Sequence, residues 1–351
     1  MTVKISKPAV NLREELADLK KPTGIAGEAM LRAETPQEQF QLIGAGRRNW
    51  VINGDIQVSQ RGTFSSATAS SHNGYTVDRW KTTTVGVNAT VQKQSVTLPN
   101  GWEANSTKTA ASTTASSGAY IGQNQTIEDG QRILRSGGTW TVSAWIKTNR
   151  NDVVIRLGGV KNVGEPAVGD GQWHYYSVTF EYTTGGSGDQ GIGFLTYDNG
   201  STAITTGDYI EFTQFQLELG KVATPFEHRS YGEELALCQR YYYRIQNEIS
   251  DNGFFAVGQV RDATRAYAVI HLPVSMRTYP QEMDQTGTAT DYAVWHGNNV
   301  TTNCSSVPLI QGSTKNTARV VFTIASGLTT GQACSFRPKN DSSFLAFSAE
   351  L

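Results

Sequence analysis

Residues Asp208–Arg244 read DYIEFTQFQLELGKVATPFEHRSYGEELALCQRYYYR, and the chain changes character within them. From Tyr209 to Leu219 the apolar positions Phe212, Phe215, Leu217 and Leu219 follow the short period of a half-buried strand. Gly220 and Pro225 then punctuate a loop. From Tyr231 the period lengthens. Leu235, Leu237, Cys238, Tyr241, Tyr242 and Ile245 recur as on one face of a helix. Glu233 and Glu234 stand in its first turn and Arg240 and Arg244 near its end, which agrees with the helix dipole. The stretch therefore predicts that an all-β region closes at Leu219. A helix over Tyr231–Glu248 then carries the chain to a second β-region.

Composition supports this reading. The chain has 351 residues, 35 of them glycine, with only 17% charged and 10% aromatic residues. Abundant Gly, Ser and Thr favour strands and turns, and the aromatics supply bulk for real cores. The formal net charge of -1 and the lack of a long basic run offer nothing to a phosphate backbone, so nucleic acid is not an expected partner. The three cysteines, Cys238, Cys304 and Cys334, are an odd set without the spacing of a zinc site or a disulfide framework. The N-terminus lacks the apolar segment of a secretory signal, and no apolar run approaches the ~20 residues of a membrane helix. The expectation is synthesis in a cytosol, no membrane insertion, and yet the composition of an extracellular β-protein.

Residues 1–47 read as an arm. Leu12, Leu16 and Leu19 share one face of a helix too short to hold alone in water. Thr35-Pro36-Gln37-Glu38 reads as a helix start, and Phe40, Leu42 and Ile43 give that helix an apolar face. Such faces need partners, so Leu12, Leu16, Leu19 and Phe40 are expected to anchor the chain to a larger particle. Residues 48–229 carry many short strands with no helix between them, which predicts an antiparallel sandwich. Residues 230–248 form the linking helix. Residues 249–351 form a smaller β-domain, with strands around Phe254–Val260, Ala266–Leu272, Arg319–Ile324 and Ser343–Leu351. The class is thus mainly β, with a short-helix arm, a sandwich, a linking helix and a small C-terminal β-domain.

Asn53-Gly54-Asp55, Tyr75-Thr76-Val77-Asp78-Arg79-Trp80 and Val142-Ser143-Ala144-Trp145-Ile146 resemble segments of jelly-roll carbohydrate-binding modules. So does Asp170-Gly171-Gln172-Trp173-His174 leading into Phe215–Gly220. The continuation through Ala223–Arg229 and Leu237–Tyr242 is similar to bacteriophage fibre proteins, of the marine or cyanophage kind, that carry such a module. The arm up to Arg47-Arg48-Asn49-Trp50 resembles their attachment end. The resemblance implies a virion protein for host adhesion, with virion proteins and a host surface glycan as partners. It also implies a possible structural calcium, for which Asp55 and Asp78 are the carboxylates at hand.

Sugar binding needs an aromatic face for the apolar side of a pyranose and polar groups for its hydroxyls. Aromatics near turns with polar neighbours give the candidate set Trp102, Tyr120, Gln123, Arg156 and Tyr197. Trp80, Trp140, Trp145 and Trp173 stand among apolar strand neighbours and read as core. Tyr241-Tyr242-Tyr243 would point to different sides of a helix, so Tyr241 and Tyr242 read as contacts between sister chains in a homotrimer. No histidine lies in a catalytic motif, and no dinucleotide or phosphate fingerprint is present. The chain is therefore not expected to be an enzyme. The alternatives are a polysaccharide depolymerase using paired acids, Glu211 with Glu218 or Asp152 with Glu165, and a decoration protein without a ligand.

Overall fold

The structure, a computed structural model, describes residues 48–116, 118–130, 134, 138–157, 160–163, 166–181, 190–196, 203–246, 253–297 and 299–351. The expected arm with Leu12, Leu16, Leu19 and Phe40 lies outside the described residues, as do Glu165 and Tyr197.

The first β-region is a sandwich. A six-stranded sheet runs β1 (Thr68–Ser70), β3 (Ala89–Thr97), β4 (Glu103–Ala111), β11 (Tyr209–Leu219), β6 (Thr139–Thr148), β9 (Trp173–Glu181). It faces a five-stranded sheet, β2 (Lys81–Val85), β5 (Tyr120–Ile127), β10 (Gln190–Thr196), β7 (Val153–Leu157), β8 (Val160–Val163). From β4 to β11 every connection except β7 to β8 crosses between the sheets, as in a jelly roll. Strand parity decides what goes inside. On β6, Trp140, Val142, Ala144 and Ile146 enter the core. On β11 the core residues switch from Ile210 and Phe212 to Phe215 and Leu217, because the register slips between Thr213 and Gln216. Trp80 closes on both phenylalanines edge-on, at 4.6 and 5.4 Å between ring centroids.

The segment quoted above as Asn53-Gly54-Asp55 forms no strand; it is a hub. Asn53 takes a left-handed backbone (φ 57) and its side chain ties Val58 and the Asp78 carbonyl. A Cβ on Gly54 would meet the Phe215 carbonyl oxygen at 2.2 Å, so only glycine fits there. Trp80 Nε1 donates to the Asn53 carbonyl at 2.9 Å.

The second β-region is a sandwich as well. Seven strands run β17 (Val300–Asn303), β16 (Tyr292–His296), β20 (Ala333–Pro338), β13 (Ala256–Val260), β14 (Arg265–His271), β19 (Thr317–Thr323), β18 (Ser306–Ser313). They pack on a three-stranded sheet, β12 (Tyr242–Gln246), β21 (Phe344–Ser348), β15 (Glu282–Gln285), around Tyr292, Phe322, Phe336 and Phe347.

The linking helix is shorter than its sequence period predicts. α1 spans Tyr231–Gln239, opened by a Ser230–Glu233 capping box. The residues meant to continue it are strand β12, with Tyr243 opposite Phe347 and Ile245 opposite Leu345. A run of three tyrosines followed by Arg and Ile prefers a pleated surface, and the edge of β21 offers it a ladder. Tyr241 and Tyr242 are therefore not presented on a helix to sister chains. Both are buried inside the chain, with the Arg79 and Arg61 guanidiniums 3.6 Å above their respective rings.

Those rings belong to the joint between the sandwiches. Arg79 pairs with Glu350, and Arg61 bridges Glu350 at 3.1 Å and Asp78 at 3.6 Å. The Tyr75 hydroxyl donates to the Leu351 carbonyl at 2.8 Å, while the Tyr241 hydroxyl and Arg240 both donate to Glu128. Ile52, Val58, Cys238 and Tyr241 form the apolar part of the joint, with Leu235, Leu237 and Leu351 against them. Glu350 and Leu351, which follow β21, thus bind residues of the first sandwich.

Candidate functional site

The core face of the six-stranded sheet is closed by the sandwich. Its opposite face carries the residues of the other parity. In direct register across β3, β4, β11, β6 and β9 stand Gln92, Lys108, Glu211, Lys147 and Trp173. One row further, Thr213 pairs with Trp145 and Trp145 with Tyr175. The floor is buried: Glu211 is 1% exposed, and Ser106 and Thr213 are fully covered. The walls are open. Trp145, Trp173, Lys108 and Lys147 are half-buried, and Tyr175 is 47% exposed. A floor deeper than its walls is a groove.

The chemistry of the groove is aromatic and mixed in charge. The Trp145 and Tyr175 rings lie 5.5 Å apart with a tilt of 57°. Lys147 Nζ sits 5.9 Å from the Trp173 ring and 3.9 Å from Glu211 Oε2, and Lys108 Nζ is 4.1 Å over Tyr209. The Ser106 hydroxyl donates to Glu211 Oε1 at 2.6 Å. Burial first, and the Glu211 charge second, push the Tyr209 phenol above its usual range, so it stays a neutral donor. At the same end a cleft of about 640 Å³ is lined by Asn149, Asn151, Val168 and Asp170. The Gln172 backbone N–H, then His174, hold the Asp170 carboxyl below its usual range, leaving it an acceptor. Tilted aromatic rings beside amides, a carboxylate and ammonium groups are what a chain of pyranose rings needs.

The four described candidates from sequence do not converge on this groove. Gln123 is interior: its Nε2 reaches Thr107 and Thr109 Oγ1 at 3.1 and 2.7 Å, bridging the two sheets. Tyr120 and Arg156 are on β5 and β7 of the five-stranded sheet. Trp102 is 55% exposed and stacks on His228 at 4.9 Å, beyond the far end of β4. Tyr197 is outside the described residues. The reading of Trp145 and Trp173 as core is corrected: both belong to the groove, whereas Trp80 and Trp140 are core as expected. The signal was available, since Trp145 is five residues from Trp140 on one strand and must point to the other face.

Glu211 and Glu218 do not form a hydrolytic pair, and the partner of Asp152, Glu165, lies outside the described residues. Glu211 and Glu218 are seven residues apart on β11, about 23 Å at ~3.3 Å per residue, against the ~5–9.5 Å between glycosidase carboxyls. Glu218 is held by Gln216 and by the Thr224 N–H and hydroxyl, and Asp152 by Arg150. Asp78 does not fit calcium. Both Asp78 oxygens accept from Gln60, and its other neighbour is the Arg61 cation rather than further oxygen ligands. Among the described residues no group of three His, Cys, Asp or Glu could hold a metal ion.

No protein-family model matches the chain, and no curated protein matches it. Among solved structures it is similar to the family 11 carbohydrate-binding module of a cellulosomal cellulase of Clostridium thermocellum, with 15% identity and a TM-score of 0.27, over 46% of this chain and 100% of that one. It is similar to the tripod of the baseplate of bacteriophage Tuc2009, with 14% identity and a TM-score of 0.29, over 81% of this chain and 91% of that one. It is similar to the enzymatically active domain of tailspike protein 4 of bacteriophage CBA120, with 16% identity and a TM-score of 0.32, over 49% of this chain but only 21% of that one.

Proposed function

We propose that this chain is the glycan-reading part of a phage fibre. It holds a polysaccharide of the host surface along the groove of the six-stranded sheet and does no chemistry on it. The observation that carries the reading is the Trp145–Tyr175 pair, flanked in register by Lys147, Glu211 and Trp173. A sandwich gains nothing in its own core by placing these rings outside. A saccharide gains two apolar platforms and a row of hydrogen-bonding partners. Placement on a virion rests on the likeness of the Ala223–Arg229 and Leu237–Tyr242 segments to phage fibre proteins. Attachment is assigned to Leu12, Leu16, Leu19 and Phe40, with three copies on one axis so that weak sites add through multivalency.

Affinity electrophoresis of the full chain through gels containing host surface polysaccharide tests the site. Trp145→Ala and Tyr175→Ala should each abolish the retardation that the parent chain undergoes. Unchanged retardation in both variants would remove the groove from consideration. The absence of new reducing ends after long incubation is the expected result for a binder, and their appearance would make the chain a depolymerase. Light scattering on the full chain should give three copies, and a clean monomer at micromolar concentration would overturn the trimer.

A further inference from the structure

The seven-stranded sheet of the second sandwich is oddly charged for a chain of net charge -1. Its strands contain no aspartate or glutamate, but they carry Arg265, Arg319 and Arg337, and Arg261 follows β13 directly. Arg265 is neutralised by Asp262 at 2.9 Å. Arg261 and Arg319 have no carboxylate partner among the described residues. They stand instead over one ring, that of Tyr267, with guanidinium carbons 5.4 and 5.2 Å from its centroid. Arg261 also donates to the Tyr267 hydroxyl, and Arg319 Nε to the Gln311 carbonyl at 2.8 Å, so both heads are oriented.

These three residues line a cleft of about 570 Å³ together with Gln259, Val257 and Val269. Val257 is 75% exposed and Val269 52%, which leaves an apolar shelf beside the cations. In the same face the Ser335 hydroxyl, opposite Val257 in the ladder, is buried without a hydrogen-bond partner. Two like charges held near one ring repel, and an anion between them removes that repulsion. A planar fork suits a carboxylate best, and the Tyr267 ring with the valine shelf suits the apolar side of a sugar. Two free guanidiniums are too few for a nucleic-acid backbone, whose binding rests on many phosphate contacts.

We propose that this cleft binds a carboxylate-bearing saccharide, with Arg261 and Arg319 on the carboxylate and Tyr267 under the ring. The site is separate from the groove of the first sandwich and stands or falls independently of it.

Isothermal titration of the full chain with trigalacturonate, an alginate oligosaccharide and sialyllactose tests the proposal, with galactotriose and a sulfated heparin disaccharide as the other arms. At least one carboxylated probe should bind, more weakly as salt rises. Arg261→Gln and Arg319→Gln should each weaken it by about tenfold or more, the usual weight of a charge-assisted pair. Tyr267→Phe should bind nearly as the parent does, because the ring remains, and Tyr267→Ala should not bind. All of these titrations are run in the Trp145→Ala background, which removes heat from the groove and keeps failure here distinct from failure of that site. Far-ultraviolet dichroism and the urea midpoint of each variant certify its fold. Three outcomes would overturn the site: no heat from any carboxylated probe at millimolar concentration, equal binding by both arginine variants, or binding of galactotriose or the sulfated disaccharide alone.

Discussion

Replacing Glu350 by Gln tests how the two sandwiches are held. The joint contains two guanidiniums, Arg61 and Arg79, and two carboxylates, Asp78 and Glu350, so it is balanced. The Arg79 and Glu350 side chains are 1% and 6% exposed, which removes the solvent screening that makes surface pairs worth little. Glu350→Gln keeps the shape and leaves a net charge of one cation in a dry place. Breaking a buried pair from one side costs about 3–5 kcal/mol. Arg79 keeps the Thr126 carbonyl at 2.6 Å and the Tyr241 ring at 3.6 Å, so the lower end, about 3 kcal/mol, is expected. Urea unfolding followed by tryptophan fluorescence and far-ultraviolet dichroism reads it. Six of the seven tryptophans precede residue 200 and report mainly on the first sandwich, whereas dichroism reports on both. The variant should lose stability and separate the two transitions. A loss under about 1 kcal/mol with the transitions still coincident would mean that the joint is no more than a surface contact.

Burial pushes the Asp78 carboxyl up, so between the ordinary carboxylate range and that raised value the folded chain binds more protons than the unfolded one. Its contribution to stability therefore falls as pH climbs out of the ordinary range, and Asp78→Asn should lose less stability between pH 4.5 and 7 than the parent in urea titrations; an identical slope would refute this. Burial also pushes the Cys304 thiol up to about 12 and Cys334 to about 11, and raises Cys238 further from reactivity. All three should resist a disulfide exchange reagent at pH 8 until denaturant is added, and prompt reaction of the native chain would contradict their placement. Trp140→Ala should cost about 3–5 kcal/mol in urea, while Trp145→Ala costs under about 1 kcal/mol and loses saccharide retardation. The same outcome for both would show that strand parity had been misassigned.

The parity of β6 also explains how far the sequence could be read. Strands with alternating apolar residues, such as Trp140–Thr148 and Tyr209–Leu219, were legible because one face is dry. β4, EANSTKTAA, has no such alternation: its inward positions include Thr107 and Thr109, whose hydroxyls accept from Gln123 across the core. β12 was hidden for the opposite reason. Its tyrosines continue the period of α1 in spacing, and only the presence of the β21 edge, a hundred residues away in sequence, decides for a strand.

The site was harder to read than the fold, and the reason is the same in both sandwiches. The proposed platform draws on residues of neighbouring strands, so its members are far apart in sequence: Trp145 and Tyr175 are 30 positions apart, Lys108 and Glu211 more than 100. Proximity along the chain selected Trp102, Tyr120 and Gln123 instead, and the fold sends these to three different places. What each strand does state locally is which residues cannot be core once the core parity is fixed. On β6 that leaves Trp145 and Lys147 for the outer face, and on β14 it leaves Arg265, Tyr267 and Val269. Strand parity therefore selects the outer-face aromatics of this chain, Trp145 on β6 and Tyr267 on β14, where proximity to turns does not.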